Sequence, residues 1–374
     1  MAMKKCILKD FLFVLIVVLL ASDNYAAEKT ALKLNLKPGQ KYKRVITMEE
    51  NISQSMAGEQ MDIAHTKKVG LEFEVKDVDA NGIASVKVTY RTLKEKTSST
   101  AGEFEYNPEN PTTLAESPLA PTYTAMMGES FVMKVAGNGR IVELTGFDEM
   151  FSLIAEKIVV AEDEMISKLP PSKCDKKKDG PAACEKPTKE SQEELAKRRI
   201  DGMNKKYGSR EGRVKVVKEM LEKNPSVAKE QVRLMLACVM TPFPDEPVQT
   251  GDSWTDKMDL KAMMLPVEIE SVYTLKEDKG DTAIVSGSFE SKMKDPAIDY
   301  GAGPMQGKMK MEGSCQRSSQ IDKSSGWVIR SNARLNISGK IKMPGNAQMP
   351  QGMEVPITVE STVTVEPTES IATH

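Results

Sequence analysis

Histidine sets the first bound on chemistry, because the 374-residue chain holds only His65 and His374. A Ser-His-Asp or Cys-His centre would have to rest on His65. That residue falls on the apolar parity of a long strand and reads as a satisfied, partly buried histidine. Carboxylates are abundant by contrast. Asp148, Glu149, Glu156, Glu162, Asp163 and Glu164 crowd one helical stretch, and two of them held about 5–9 Å apart would suit a glycosidase. On an amphipathic helix they read as a solvated face. Asp77, Asp79, Asn81 and Gly82 spell the opening of a calcium loop, but Val88 stands where the twelfth-position Glu is needed and strands flank the segment. It reads as a hairpin turn. Gly137-Asn138-Gly139 is likewise a turn, since no helix begins directly after it to cradle a phosphate. No catalytic residue is assigned, and no cofactor is expected.

Sulfur chemistry is the remaining possibility. The chain has 24 methionines, and two clusters, Met305, Met309, Met311 and Met343, Met349, Met353, fall in Gly- and Pro-containing segments. Thioethers suit Cu(I), so Met343, Met349 and Met353 form a candidate metal set, with flexible apolar filler as the plainer reading. Of five cysteines, Cys174, Cys184, Cys238 and Cys315 follow the apolar leader. Cys174 and Cys184 bracket CDKKKDGPAAC and are expected to pair, closing a short loop worth on the order of 3 kcal/mol in the entropic account. Zinc would want tighter spacing and further ligands. Cys238 and Cys315 either pair across the fold or serve as small buried apolar residues.

The leader itself is a basic stretch, Lys4, Lys5 and Lys9, followed by the apolar run Phe11 to Ala21. It is too short to span a bilayer comfortably and reads as a secretory signal over residues 1–26, cut after Ala26 or Ala27. Cys6 precedes the apolar run, so no lipid-anchoring cysteine follows it. The expected product is a soluble periplasmic or secreted protein without a transmembrane anchor. The whole chain carries a formal charge of −2 and 5% aromatic residues, which gives no argument for nucleic acid. Between Lys173 and Lys218, however, fifteen Lys or Arg face eight Asp or Glu. Such a segment suits anionic lipid headgroups or an acidic partner, or simply keeps exposed helices soluble.

The elements that must hold these residues divide into three parts: a β-rich stretch over 27–145, a helical middle with the Cys loop as an insertion over 146–241, and a β-rich stretch over 242–374, with 27–374 possibly one domain. From Met61 to Val75 the odd positions are mostly apolar and the even ones polar, the mark of a half-buried strand. The turn at Asp77 to Gly82 leads into a partner carrying Val86, Val88 and Tyr90 on one side. Thr145 is expected to cap a helix that ends before Pro170-Pro171, and further helices are predicted over 191–206, 212–223 and 226–240. Trp327, Ile329, Ala333, Leu335, Ile337 and Ile341 share one parity, as do Val355, Ile357, Val359, Val363 and Val365. The expected class is α+β, with a curved antiparallel sheet of long strands and the helices packed on its apolar face.

LKLNLKPGQKYK, Glu59 to Met61, DVDANG, NGRIVELTGFDEM, PVQTGDSW and SSGWV occur in that order. In that order they resemble a group of uncharacterised exported bacterial proteins grouped only as a domain of unknown function. The resemblance implies export and architecture, and carries over no site. The expected function is a non-enzymatic envelope protein binding an apolar ligand, a lipid or a protein partner. A carboxylate-dependent hydrolase acting on an envelope polymer and a Met-rich copper-binding protein are the alternatives.

Overall fold

The computed structural model describes residues 29–56, 59–100, 102–110, 120–168, 189–223, 229–259, 268–292, 298–300, 307–344 and 352–368. The leader and the Cys174 and Cys184 loop lie outside them. Eleven strands form one continuous hydrogen-bonded path, and every neighbouring pair in it is antiparallel. The N-terminal meander consists of β1 (Lys41–Met56), β2 (Glu59–Val78), β3 (Ala84–Ser99), β5 (Ser130–Val135) and β6 (Ile141–Thr145), with the short β4 (Gly102–Tyr106) beside β3. The C-terminal meander runs through β7 (Ser253–Asp259), β8 (Glu268–Lys279), β9 (Thr282–Lys292), β11 (Gly307–Asp322), β12 (Val328–Met343) and β13 (Met353–Pro367), with β10 (Ile298–Tyr300) on β11. The two meanders join where β1 pairs with β13, from Arg44 opposite Pro367 to Gln54 opposite Ile357.

Period-two alternation explains the strands. On β12 the exposed Arg330, Asn332, Arg334 and Asn336 alternate with the buried or half-buried Ser331, Ala333, Leu335 and Ile337, so one face is wet and the other turns inward. Asp79 makes the β2–β3 turn. Its Oδ1 accepts from the backbone N–H of Asn81 (2.8 Å) and Ile83 (2.9 Å), so the carboxylate resembling a calcium ligand is engaged with the turn's own backbone. Gly139 in the β5–β6 turn has φ +78°, and a Cβ there would lie 2.2 Å from the Thr241 carbonyl oxygen. The glycine lets this turn touch the connector from the helices, and Phe243 N–H donates to Asn138 O at 2.8 Å. In the same turn Arg140 pairs with Asp256 of β7 at 2.7 Å.

Five helices are described: α1 (Ala120–Met126), α2 (Phe147–Lys168), α3 (Lys189–Lys206), α4 (Arg210–Lys223) and α5 (Lys229–Ala237). The main apolar cluster joins Leu71, Phe73, Val86, Val88, Phe131 and Met133 of the strands with Met150, Phe151, Ile154, Leu221 and Leu236 of the helices. Arg213 of α4, only 2% exposed, reaches Asp163 (2.7 Å) and Glu162 (3.0 Å) of α2. A smaller cluster, Leu32, Phe243, Val248, Tyr273, Leu275 and Val285 among it, lies under β7 to β9. One expectation is corrected. Thr145 does not cap α2, because it is paired with Val132 in the sheet. Gly146, at φ +81°, fills that position and accepts from Met150 N–H at 3.1 Å. The seven-residue α1 has too few turns to show a helical period, so periodicity predicts no helix there.

Candidate functional site

A change of parity builds the site. Leu71 pairs with Tyr90 and Val69 with Leu93, so Arg91 is an extra residue in β3 and the register shifts there. Gly70 lies at this bulge, where a Cβ would come 2.4 Å from Thr92 Oγ1, in keeping with glycine's place at such irregularities. Before the bulge Val86, Val88 and Tyr90 face inward; beyond it Leu93, Glu95 and Thr97 do. Glu95 is thereby turned inward opposite Lys67, while His65 pairs with Glu50 on β1.

His65 bridges the two carboxylates, with Nδ1 3.1 Å from Glu50 Oε2 and Nε2 3.1 Å from Glu95 Oε1. Both ring nitrogens donate only when the imidazole is charged. Hydrogen bonding to Glu50, and then to Glu95, outweighs burial and raises the His65 pKa from 6.5 to about 9. Glu95 also accepts a short hydrogen bond from Tyr123 Oη of α1. Burial opposes its ionisation, but the bonds from His65 and Tyr123 and the charge of Lys67 hold its pKa below the ordinary range. Lys67 Nζ lies 5.3 Å from the centre of the Tyr123 ring, and burial lowers its pKa against the pull of Glu95 and Glu50. The imidazole fills the space between Glu50 and Glu95, so the two carboxylates grip its opposite edges and do not converge on a common substrate atom. The arrangement ties three strands and α1 together.

A pH dependence follows. A histidine whose folded pKa exceeds its unfolded value stabilises fully below pH 6.5 and loses that contribution as pH rises through about 9. Glu50 is 34% exposed, and after allowance for solvent screening the loss is about 2 kcal/mol. Urea unfolding at pH 6.5 and pH 9.5 should therefore differ less in His65→Gln than in the parent protein. Equal differences in the two would refute this assignment.

Beyond the cluster the inward face becomes apolar. Ile52 of β1 stands between Ile63 of β2 and Val359 of β13, and the row continues through Ile337 to Gly313. Val355 pairs with Ile341, and Ile357 with Gly339, which lies beneath Met311. Most of these side chains are half-buried, and none of Ile52, Ile63, Ile337, Ile341, Ile357 and Val359 belongs to either apolar cluster. The principal helix contacts with the sheet are α5 on β6 and α2 on β5, away from this field. Ile52 and Ile63, together with Asn51, Ser53, Asp62 and Glu360, are among the residues lining an open cavity of about 590 Å³.

The other residues singled out in the sequence are dispersed. Met343 and Met353 are cross-strand partners at the end of β12 and β13, whereas Met305 and Met349 lie outside the described residues. No group of three His, Cys, Asp or Glu is placed to hold a metal ion among the described residues. Of the helical carboxylates, Asp148 pairs with Lys218, and Glu162 and Asp163 with Arg213, so these three brace helix against helix. Cys238 and Cys315 are free thiols. No described helix is long and apolar enough to cross a membrane. His65 was legible as an inward-facing histidine. Glu50, Glu95, Lys67 and Tyr123 were not, because strand register, a bulge and α1 bring them together.

The fold is similar to that in a structure titled "Lipid-protein interactions in lipovitellin", at 7% identity and a TM-score of 0.40. The match covers 89% of this chain and 25% of that one, so the chain spans a quarter of lipovitellin's length. A DUF1329 family protein from Desulfovibrio piger matches at 5% identity and a TM-score of 0.13, over 88% of this chain and 87% of that one. Salmonella typhi OmpF in complex with daunomycin matches at 4% identity and a TM-score of 0.18, over 89% and 99%. These similarities are too slight to carry an argument about ligand or activity. No curated protein matches the sequence. The pattern of a family described as "Family of unknown function (DUF6263)" matches residues 81–170 and 196–328, more than half of the chain.

Proposed function

The chain belongs to the DUF6263 family of unknown function, and from that premise we propose that it is a non-enzymatic protein of the cell envelope, exported and soluble, that holds the acyl part of a lipid on the inward face of its sheet. The observation that carries this reading is the apolar field around Ile52, Ile63, Ile337, Ile357 and Val359, which continues the inward parity of four strands but joins neither core cluster. Apolar surface of this kind is stabilised by contact with another apolar surface, at about 25 cal/mol per Å² removed from water.

Curvature of the sheet supports the same reading. Nine strand-to-strand steps separate β5 from β7, about 43 Å in a flat sheet. Arg140, in the turn after β5, nevertheless pairs with Asp256 of β7. A sheet bent far enough to bring these together encloses its inward face, with the helices on one part of it and the apolar field on another. An acyl chain fits that concavity as ligands generally fit apolar clefts with few polar groups.

Titration with a dansyl-labelled fatty acid tests the proposal. Saturable binding is expected, and Ile337→Asp should weaken it at least tenfold while leaving the circular dichroism spectrum unchanged, since a carboxylate in the field would face acyl carbon. Absence of saturable binding by the parent protein would overturn the reading.

A further inference from the structure

The joint between α5 and β11 brings together two cysteines that the lipid-binding reading does not use. Cys238 follows the last residue of α5, and Cys315 lies on β11. Two residues along β11 on the same inward face, Arg317 donates from Nη1 to the carbonyl of Ala237 and from Nη2 to that of Cys238, both at 2.8 Å. Its Nη2 also reaches Thr241 Oγ1 at 3.3 Å. The end of α5 is thus seated on β11 at the position of Cys315. Both thiols are free and half-buried. Burial raises the pKa of each, that of Cys315 to about 11, and the charge of Cys238 contributes to the rise at Cys315. The hold of Arg317 on the Cys238 carbonyl thus brings Cys238 to the face of β11 that carries Cys315.

We propose that Cys238 and Cys315 are a thiol pair that is oxidised to a disulfide, fastening the end of α5 to the sheet at β11. The co-reactant is a disulfide-bearing oxidant. Its S–S bond breaks as the Cys238–Cys315 bond forms, the two cysteines lose two protons and two electrons, and the oxidant leaves as two thiols. Thiolate is scarce in the folded protein because of the raised pKa values, so exchange is slow once α5 has docked. The pair accordingly keeps the state in which it was set.

The test uses the full chain, refolded from urea in the presence of oxidised glutathione, then unfolded again, alkylated and digested without reductant. Mass spectrometry should find one peptide pair linked through Cys238 and Cys315. Dithiothreitol should break that link at least tenfold more slowly in the native protein than in urea. Recovery of the two residues as separately alkylated peptides would overturn the proposal, as would linkage of either one to Cys174 or Cys184. In Cys315→Ser, Cys238 should be recovered alkylated. Since Cys315 is not among the fatty-acid contacts proposed above, loss of lipid binding by the parent protein would leave this result unaffected.

Discussion

Replacing Trp327 by Ala is expected to lower the unfolding free energy by about 4 kcal/mol, in the middle of the range for truncating buried aromatic side chains. Trp327 is 1% exposed and stacks on Tyr42 with ring centres 4.4 Å apart and planes within 10°. It also meets the edge of Phe73 at 5.2 Å. Tyr42 belongs to β1, Phe73 to β2, and Trp327 leads into β12. One indole therefore plugs the inward face beside the junction of the two meanders, and no small side chain could collapse into the volume it leaves. Among the described residues the indole N–H has no hydrogen-bond partner. Trp327→Phe, which removes that group and keeps most of the ring contact, should cost under half as much. Urea denaturation followed by far-ultraviolet circular dichroism checks both; an Ala variant within 1 kcal/mol of the parent would refute the assignment.

Arg317→Met is expected to cost about 3 kcal/mol, because it removes a guanidinium and leaves its partners unpaired. Besides the carbonyls of Ala237 and Cys238 and the hydroxyl of Thr241, Arg317 Nε donates to Ser319 Oγ at 2.9 Å and Ser331 Oγ at 3.0 Å. A cation at a helix C-terminus is further favoured by the partial negative charge there. Methionine keeps the length of the stem, so the loss reports on the polar head. Its effect should be local as well as global, with amide exchange in residues 229–243 accelerating more than in β12. Uniform acceleration would mean that Arg317 does not specifically seat α5.

How much of this was legible depended on distance along the chain. Alternation is a local signal, and it correctly gave β2 from Met61 to Val75 and the inward parity of Ile337 and Val359, as the periodicity argument requires. The pairing of β1 with β13 left no local trace, since strands of the same pattern are interchangeable until a register is chosen. The bulge at Arg91 was illegible for a related reason: Val86, Val88 and Tyr90 set a parity that, continued, would have turned Glu95 outward. Helices with several turns were found within a few residues of their ends, whereas α1 escaped notice, and with it Tyr123. Candidate chemistry failed in the same way. Residues clustered in sequence, such as Asp77 to Asn81 or the carboxylates of α2, serve turns and helix braces, while the charged cluster is assembled from four separate elements.

The seam between β1 and β13 also sets a timetable. A ribosome supplies β1 first and β13 last, so the N-terminal meander can hydrogen-bond internally long before its neighbour across the seam exists. During that interval β1 is an edge strand with a bare row of amides, open to pairing with any other extended chain. Closure of so distant a contact is slow, since chain entropy must be lost before the pairing compensates it. The protein is thus most exposed to aggregation while it waits for its last strand. Shortening that interval, more than strengthening any finished contact, should raise the yield of native molecules.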